Sequence, residues 1–191
     1  LAVIMTPAET VPRLVGELGQ RGTRAAVIIT SGPGAGPEAR EDNARWRKRI
    51  LRAAQPHLLR IVGPNCIGFA APRLGLNASF GPSGLKAGRV AAVAQSGAVL
   101  AGLADWGAAQ NIGFSHLVSM GDMADVDFGD VLDMLARDYE TRAVLMYVEG
   151  ITQARKFMSA ARSVARVKPV IVLKAGRHAA AAKAAASHTG S

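Results

Sequence analysis

Val90-Ala91-Ala92-Val93-Ala94-Gln95-Ser96-Gly97-Ala98 is the stretch whose reading decides the fold class. It opens as a continuous run of small apolar residues, the pattern of a strand buried on both faces. Gln95-Ser96-Gly97 then breaks the run, and apolar residues resume at helical spacing to about residue 109. A strand that feeds a helix through a tight Ser-Gly turn is half of a parallel β-α-β unit. The turn presents backbone N–H groups and the positive end of a helix dipole, a ready place for phosphate. Gly97 lets an anion come close to the main chain. Ser96 equally fits an ordinary N-cap, and spacing alone does not separate the two roles. The Gly-Lys-Ser/Thr end of a Walker A loop and the Gly-x-Ser-x-Gly of a nucleophilic serine are both missing.

The same alternation runs outward from this stretch. Upstream, residues 1–5, 25–30 and 58–62 read as short apolar strands, and residues 38–54 as a helix. Another helix starts at Thr10, with Val11, Leu14, Val15 and Leu18 on one face, and stops at Gly22. Residues 65–88 read as irregular. Downstream, residues 114–119, 143–148 and 170–173 are strands, with helices over 128–136 and 154–167. The fold class is therefore α/β: two parallel-sheet units meeting near residue 85, with ligands expected beyond the strand C-termini. With three strands, the unit over residues 1–85 reads as the back half of a nucleotide-binding-type domain; residues 86–191 form the second unit.

Bulk properties narrow the function. A chain of 191 residues, 49% of them hydrophobic, can bury one sizeable core or two small ones. Its apolar runs fall far short of the roughly 20 residues that span a bilayer, so no membrane segment is expected. It opens inside an apolar run and stops just after a histidine motif, which reads as a piece of a longer protein. The single cysteine, Cys66, excludes an internal disulfide and fits a reducing, cytoplasmic setting. A net charge of +9 suits an anionic partner. The Lys and Arg residues are scattered with little aromatic interleaving, so a solvated basic surface ranks first, phosphorylated small molecules second and nucleic acid last.

Four places carry candidate chemistry. Gly63-Pro64-Asn65-Cys66 follows a strand, so its amides face the expected ligand edge; the thiol itself reads as buried and inert. Glu149 ends an apolar strand in Tyr-Val-Glu-Gly, where a carboxylate can orient an imidazole or stabilise its charged form. Asp122, Asp125 and Asp127 resemble a cation loop but lack the glutamate that pattern needs, and helix capping by Asp125 or Asp127 explains them better. His188, in Ser-His-Thr-Gly, stands among small residues as an exposed nucleophile. No cluster with metal-ligand spacing is present, so no metal site is assigned.

Taken together these stretches resemble the NDP-forming acyl-CoA synthetase superfamily, which includes ADP-forming acetyl-CoA synthetases and the succinyl-CoA synthetase α subunit. The likeness rests on Gly63-Pro64-Asn65-Cys66, Leu76-Asn77-Ala78-Ser79-Phe80, Gln95-Ser96-Gly97-Ala98, Val118-Ser119-Met120-Gly121-Asp122, Tyr147-Val148-Glu149-Gly150, Lys174-Ala175-Gly176-Arg177 and Ser187-His188-Thr189-Gly190, in family order. It is nearest to proteins in which this region is fused to a lysine N-acetyltransferase domain. The resemblance implies a partial Rossmann-like CoA-binding domain followed by a flavodoxin-like CoA-ligase domain. It implies that His188 is the phosphohistidine and that Glu149 hydrogen-bonds it. Asn65, Cys66, Ser96, Gly97 and Ala98 would hold phosphate, and Ile29, Thr30 and Ser31 would touch coenzyme A. ATP or ADP with Mg would sit in an ATP-grasp domain outside this chain, in an oligomeric enzyme. The activity implied is acyl-CoA formation from acid, CoA and ATP; the alternative is an acyl-CoA-sensing module regulating an acetyltransferase.

Overall fold

A computed structural model describes residues 1–81 and 83–176. The chain is α/β, with a parallel three-stranded sheet and a mixed six-stranded one. The first sheet has the order β1 (Ala2–Ile4), β2 (Ala25–Ile28), β3 (Arg60–Val62). Its connections, α1 (Val11–Gln20) and α2 (Arg40–Ala54), each step one strand in the same direction. Right-handed crossovers then put both helices on one face. Val11 and Val15 of α1 and Trp46 and Ile50 of α2 close over Ile4, Ile28 and Ile61 there. The Trp46 indole N–H satisfies itself on Ala8 O at 2.6 Å. Thr10 precedes α1 as read from the sequence, but its hydroxyl donates to Pro7 O at 2.7 Å instead of capping the helix.

The second sheet has the order β5 (Leu76–Ser79), β4 (Gly68–Ala71), β7 (Phe114–Ser119), β6 (Ala87–Ala94), β8 (Ala143–Val148), β9 (Val170–Lys174). From β7 to β9 all pairs are parallel. One face is covered by α4 (Phe128–Arg137) and α5 (Ala154–Ala165), burying Phe128, Leu132, Leu135 and Val164. The other face carries α3 (Gly97–Ala109), which buries Leu100 and Ala104. The stretch read as irregular contains the antiparallel hairpin of β4 and β5, and β4 pairs antiparallel with β7. That hairpin also meets the back of the first sheet, where Val27, Cys66 and Ala78 form a shared small core with Phe69 and Val62. No helix among the described residues is long and apolar enough to cross a membrane.

A titratable cluster lies away from the ligand edge. Ser115 and Thr141 share a buried 2.7 Å hydrogen bond, Thr141 also donates to Asp138, and His116 Nδ1 lies 3.5 Å from Asp138 Oδ2. Burial pushes the His116 imidazole below its ordinary pKa, against the attraction of Asp138. The folded state then binds a proton less readily than the unfolded one. Its contribution to stability is full above about pH 6.5 and is lost as pH falls through the lower folded value. Unfolding in urea should show wild type losing stability relative to His116→Gln between about pH 7.5 and about pH 5.5. A gain over that range would mean that Asp138, not burial, controls the ring.

Candidate active site

The strand-end loops of both sheets are knitted together before any side chain is considered. Asp122 N donates to Pro64 O at 2.9 Å, Ala124 N to Gly63 O at 3.0 Å and Val126 N to Ile61 O at 3.1 Å. The three aspartates of this loop have three separate tasks. Asp122 accepts from Asn65 Nδ2 and from Arg47, each at 3.1 Å. Asp125 Oδ2 accepts from Ile61 N at 2.8 Å and from Arg60 Nε at 2.9 Å, so it joins the units and does not cap. Asp127 is the cap of α4: its Oδ1 accepts from Gly129 N and Asp130 N, and Asp130 Oδ2 accepts Asp127 N in return. Asn65 adopts φ 58°, a left-handed conformation that asparagine tolerates, and Thr30 O anchors its N–H at 3.1 Å.

These ties shape one cleft of about 770 Å³ between α2 and the C-terminal edge of the second sheet. Arg47, Lys48 and Leu51 of α2 form one wall. The opposite wall is Asn65, the Gln95-Ser96-Gly97 turn, Asp122, Glu149-Gly150 and Lys174. Ser96 Oγ accepts Val99 N at 3.4 Å, so the serine does cap α3. This leaves the next amides, at Gly97 and Ala98, as the ones a helix start offers to a ligand. Gly97 is packed so closely that a Cβ there would lie 2.5 Å from Ile67 Cγ2. Of the two roles left open by the sequence, the capping role is thus the one Ser96 takes, in a turn that borders the cleft.

Of the residues singled out from the sequence, Asn65, Ser96, Gly97 and Glu149 face this cleft together. Cys66 does not: it is 4% exposed, its Sγ donates to Ile28 O at 3.4 Å, and burial pushes the thiol up to about 11. Ala98 is exposed in the first turn of α3. Ile29, Thr30 and Ser31 follow β2 at the same edge, with Thr30 Oγ1 donating to Thr6 O at 2.7 Å. His188 lies outside the described residues. Sequence reasoning missed Arg47, Lys48 and Lys174 as cleft residues, and it missed the side chain of Gln95. Its amide oxygen accepts Glu149 N at 3.0 Å and Gly150 N at 2.9 Å. Partners so far apart in sequence leave no local signal.

The cleft thus sets the start of α3 beside the Glu149 residue on one wall, with Arg47 and Lys48 of α2 on the other. Residues 87–191 match the succinyl-CoA ligase like flavodoxin domain, and residues 1–72 match a CoA binding domain. The chain belongs to the family of ADP-forming acetyl-CoA synthetases and succinyl-CoA ligase α subunits. Within this synthetase family, it is 42% identical over 191 residues to the acetate–CoA ligase [ADP-forming] I subunit alpha of Pyrococcus furiosus. It is 41% identical over 191 residues to acetate–CoA ligase [ADP-forming] I of Archaeoglobus fulgidus. All of this chain aligns in both cases, but it spans 41% of the first relative and 27% of the second. The dinucleotide forming acetyl-coenzyme A synthetase 1 of Ca. Korarchaeum cryptofilum, solved in complex with phosphate and ADP, superposes with a TM-score of 0.89 at 39% identity. That match covers 99% of this chain and 40% of the synthetase chain.

Proposed function

We propose that this chain is the CoA-ligase core of an ADP-forming acyl-CoA synthetase with His188 as phosphoryl carrier. Acyl-CoA and phosphate exchange to acyl phosphate and CoA. His188 takes the phosphoryl group, releasing the acid, and passes it to ADP to give ATP. In reverse, acid, CoA and ATP give acyl-CoA, ADP and phosphate. The observation that carries this reading is the convergence of Asn65, the first turn of α3 and Glu149 on one cleft. A helix start stabilises the phosphate by its dipole and free amides. Glu149, on the same wall, would hold the His188 imidazole in one tautomer and balance the positive charge of the ring in its phosphorylated form. CoA would approach along the end of β2 at Ile29, Thr30 and Ser31.

The nucleotide, with its Mg, belongs to an ATP-grasp portion beyond this chain, and the working enzyme is an oligomer in the cytoplasm. The relatives' greater length supports a further portion of that kind. An N-acetyltransferase domain in the same protein remains a proposal, tested by the domain content of the full-length protein. The test of the chemistry is mass spectrometry of the full-length protein, kept from acid after brief exposure to MgATP. Phosphate on His188 that is discharged by ADP and absent from His188→Ala is the expected result. An unmodified His188 in a protein that still binds acyl-CoA would defeat the carrier mechanism.

A further inference from the structure

We propose that Gln95 is a positioning residue that fixes the direction in which the Glu149 carboxylate enters the cleft. This rests on the phosphohistidine reading above. Two main-chain donors, Glu149 N and Gly150 N, converge on Gln95 Oε1 at 3.0 and 2.9 Å. An amide nitrogen cannot accept them, so the side chain has one possible orientation. Gln95 also donates its own N–H to Tyr147 O at 3.1 Å, so main chain and side chain both grip the end of β8.

Lys174 completes the grip from the other side. Its Nζ donates to Glu149 O at 2.8 Å and to Ala175 O at 2.5 Å, while Ala175 N donates to Val148 O at 2.9 Å. The Glu149 residue is thus held at its N–H by Gln95 and at its C=O by Lys174. With both ends of the main chain fixed, the Cα–Cβ bond has one heading.

The residues that follow Glu149 add little packing to these bonds. A Cβ built on Gly150 meets nothing within 4 Å, Ile151 is 42% exposed, and Gly150, Ile151 and Thr152 all border the cleft. Gln95 is also the residue immediately before the Ser96-Gly97 anion turn. One side chain therefore ties the place that receives the phosphate to the carboxylate meant to face the phosphorylated imidazole. A neutral amide suits this position, since a carboxylate there would add negative charge beside the anion.

The experiment is a double-mutant cycle in the full-length synthetase, read as kcat and KM for acid plus CoA with MgATP. A residue that acts through Glu149 loses its effect once Glu149 can no longer do its work. Gln95→Leu is expected to lower kcat by roughly 30-fold or more, with KM for CoA within about threefold, as misplaced positioning groups do. In a Glu149→Gln background the same change should cost less than about threefold. Equal fold losses in both backgrounds, with His188 phosphorylated normally in wild type, would overturn the role of Gln95 alone. A wild type that never acquires phosphate on His188 would overturn the functional reading, and this role with it.

Discussion

Gly121→Ala is expected to destabilise the protein by about 3–5 kcal/mol, among the largest effects open to a single methyl group. Gly121 sits at φ 55°, where an alanine costs about 1–2 kcal/mol. The larger part is steric. A Cβ there would lie 2.2 Å from Pro64 O and 2.5 Å from Asn65 O. Both obstacles are main-chain atoms, and Pro64 O is itself held by Asp122 N at 2.9 Å. The loop cannot retreat without breaking the ladder that joins the units. Gly102 is the internal control. It lies in the exposed face of α3, where an added Cβ meets nothing within 4 Å. Gly102→Ala should therefore raise stability, by up to about 1 kcal/mol, through helix propensity. Thermal unfolding of both variants checks the pair, and similar shifts would mean that the contact at Gly121 is softer than its geometry implies.

Asp122→Ala should cost about 2–4 kcal/mol, because it strands the half-buried Arg47 guanidinium and frees the Asn65 side chain. Asp122→Asn should cost much less, since its carbonyl oxygen still accepts a hydrogen bond. The two also differ in pH response. Burial holds the Asp122 carboxyl above its ordinary range, against the opposing pull of the Asn65 hydrogen bond and the Arg47 charge. The folded state therefore binds this proton more tightly than the unfolded chain. That contribution to stability is complete below about pH 4 and is lost as pH rises through the higher folded value. Denaturant titrations of wild type and Asp122→Asn should show their difference moving against wild type from about pH 4 to about pH 7. A constant difference would mean that Arg47 cancels the burial entirely.

The parallel core was legible because its strands announce themselves. Residues 143–148 are a bounded apolar run, and the structure begins and ends β8 at those same residues, as it does β7 at the strand read over 114–119. The hairpin was not legible. Gly68–Ala71 and Leu76–Ser79 are short, rich in alanine and interrupted by Asn77, so no period-two signal stands out. They are strands because β7 offers an open edge, a tertiary cause that local sequence does not encode. The site divides in the same way. Ser96-Gly97 and Glu149 were found from their place at strand ends, where the topology puts ligands. Gln95, Arg47 and Lys174 act through partners brought near by folding, and nothing in their immediate neighbours marks them.

The hairpin has a consequence for descent as well as for stability. It is encoded in the same stretch as the first sheet, yet its hydrogen bonds place it in the second. The Arg–Asp pairs beside it also draw one member from each side, Arg47 with Asp122 and Arg60 with Asp125. An exchange of gene segments in the loop after β5 would deliver an edge hairpin from one parent and its receiving strand from the other. The paired charges would come from different parents too. The two sheets are therefore expected to pass through such an exchange together, and recombinants that keep working should carry both from the same ancestor.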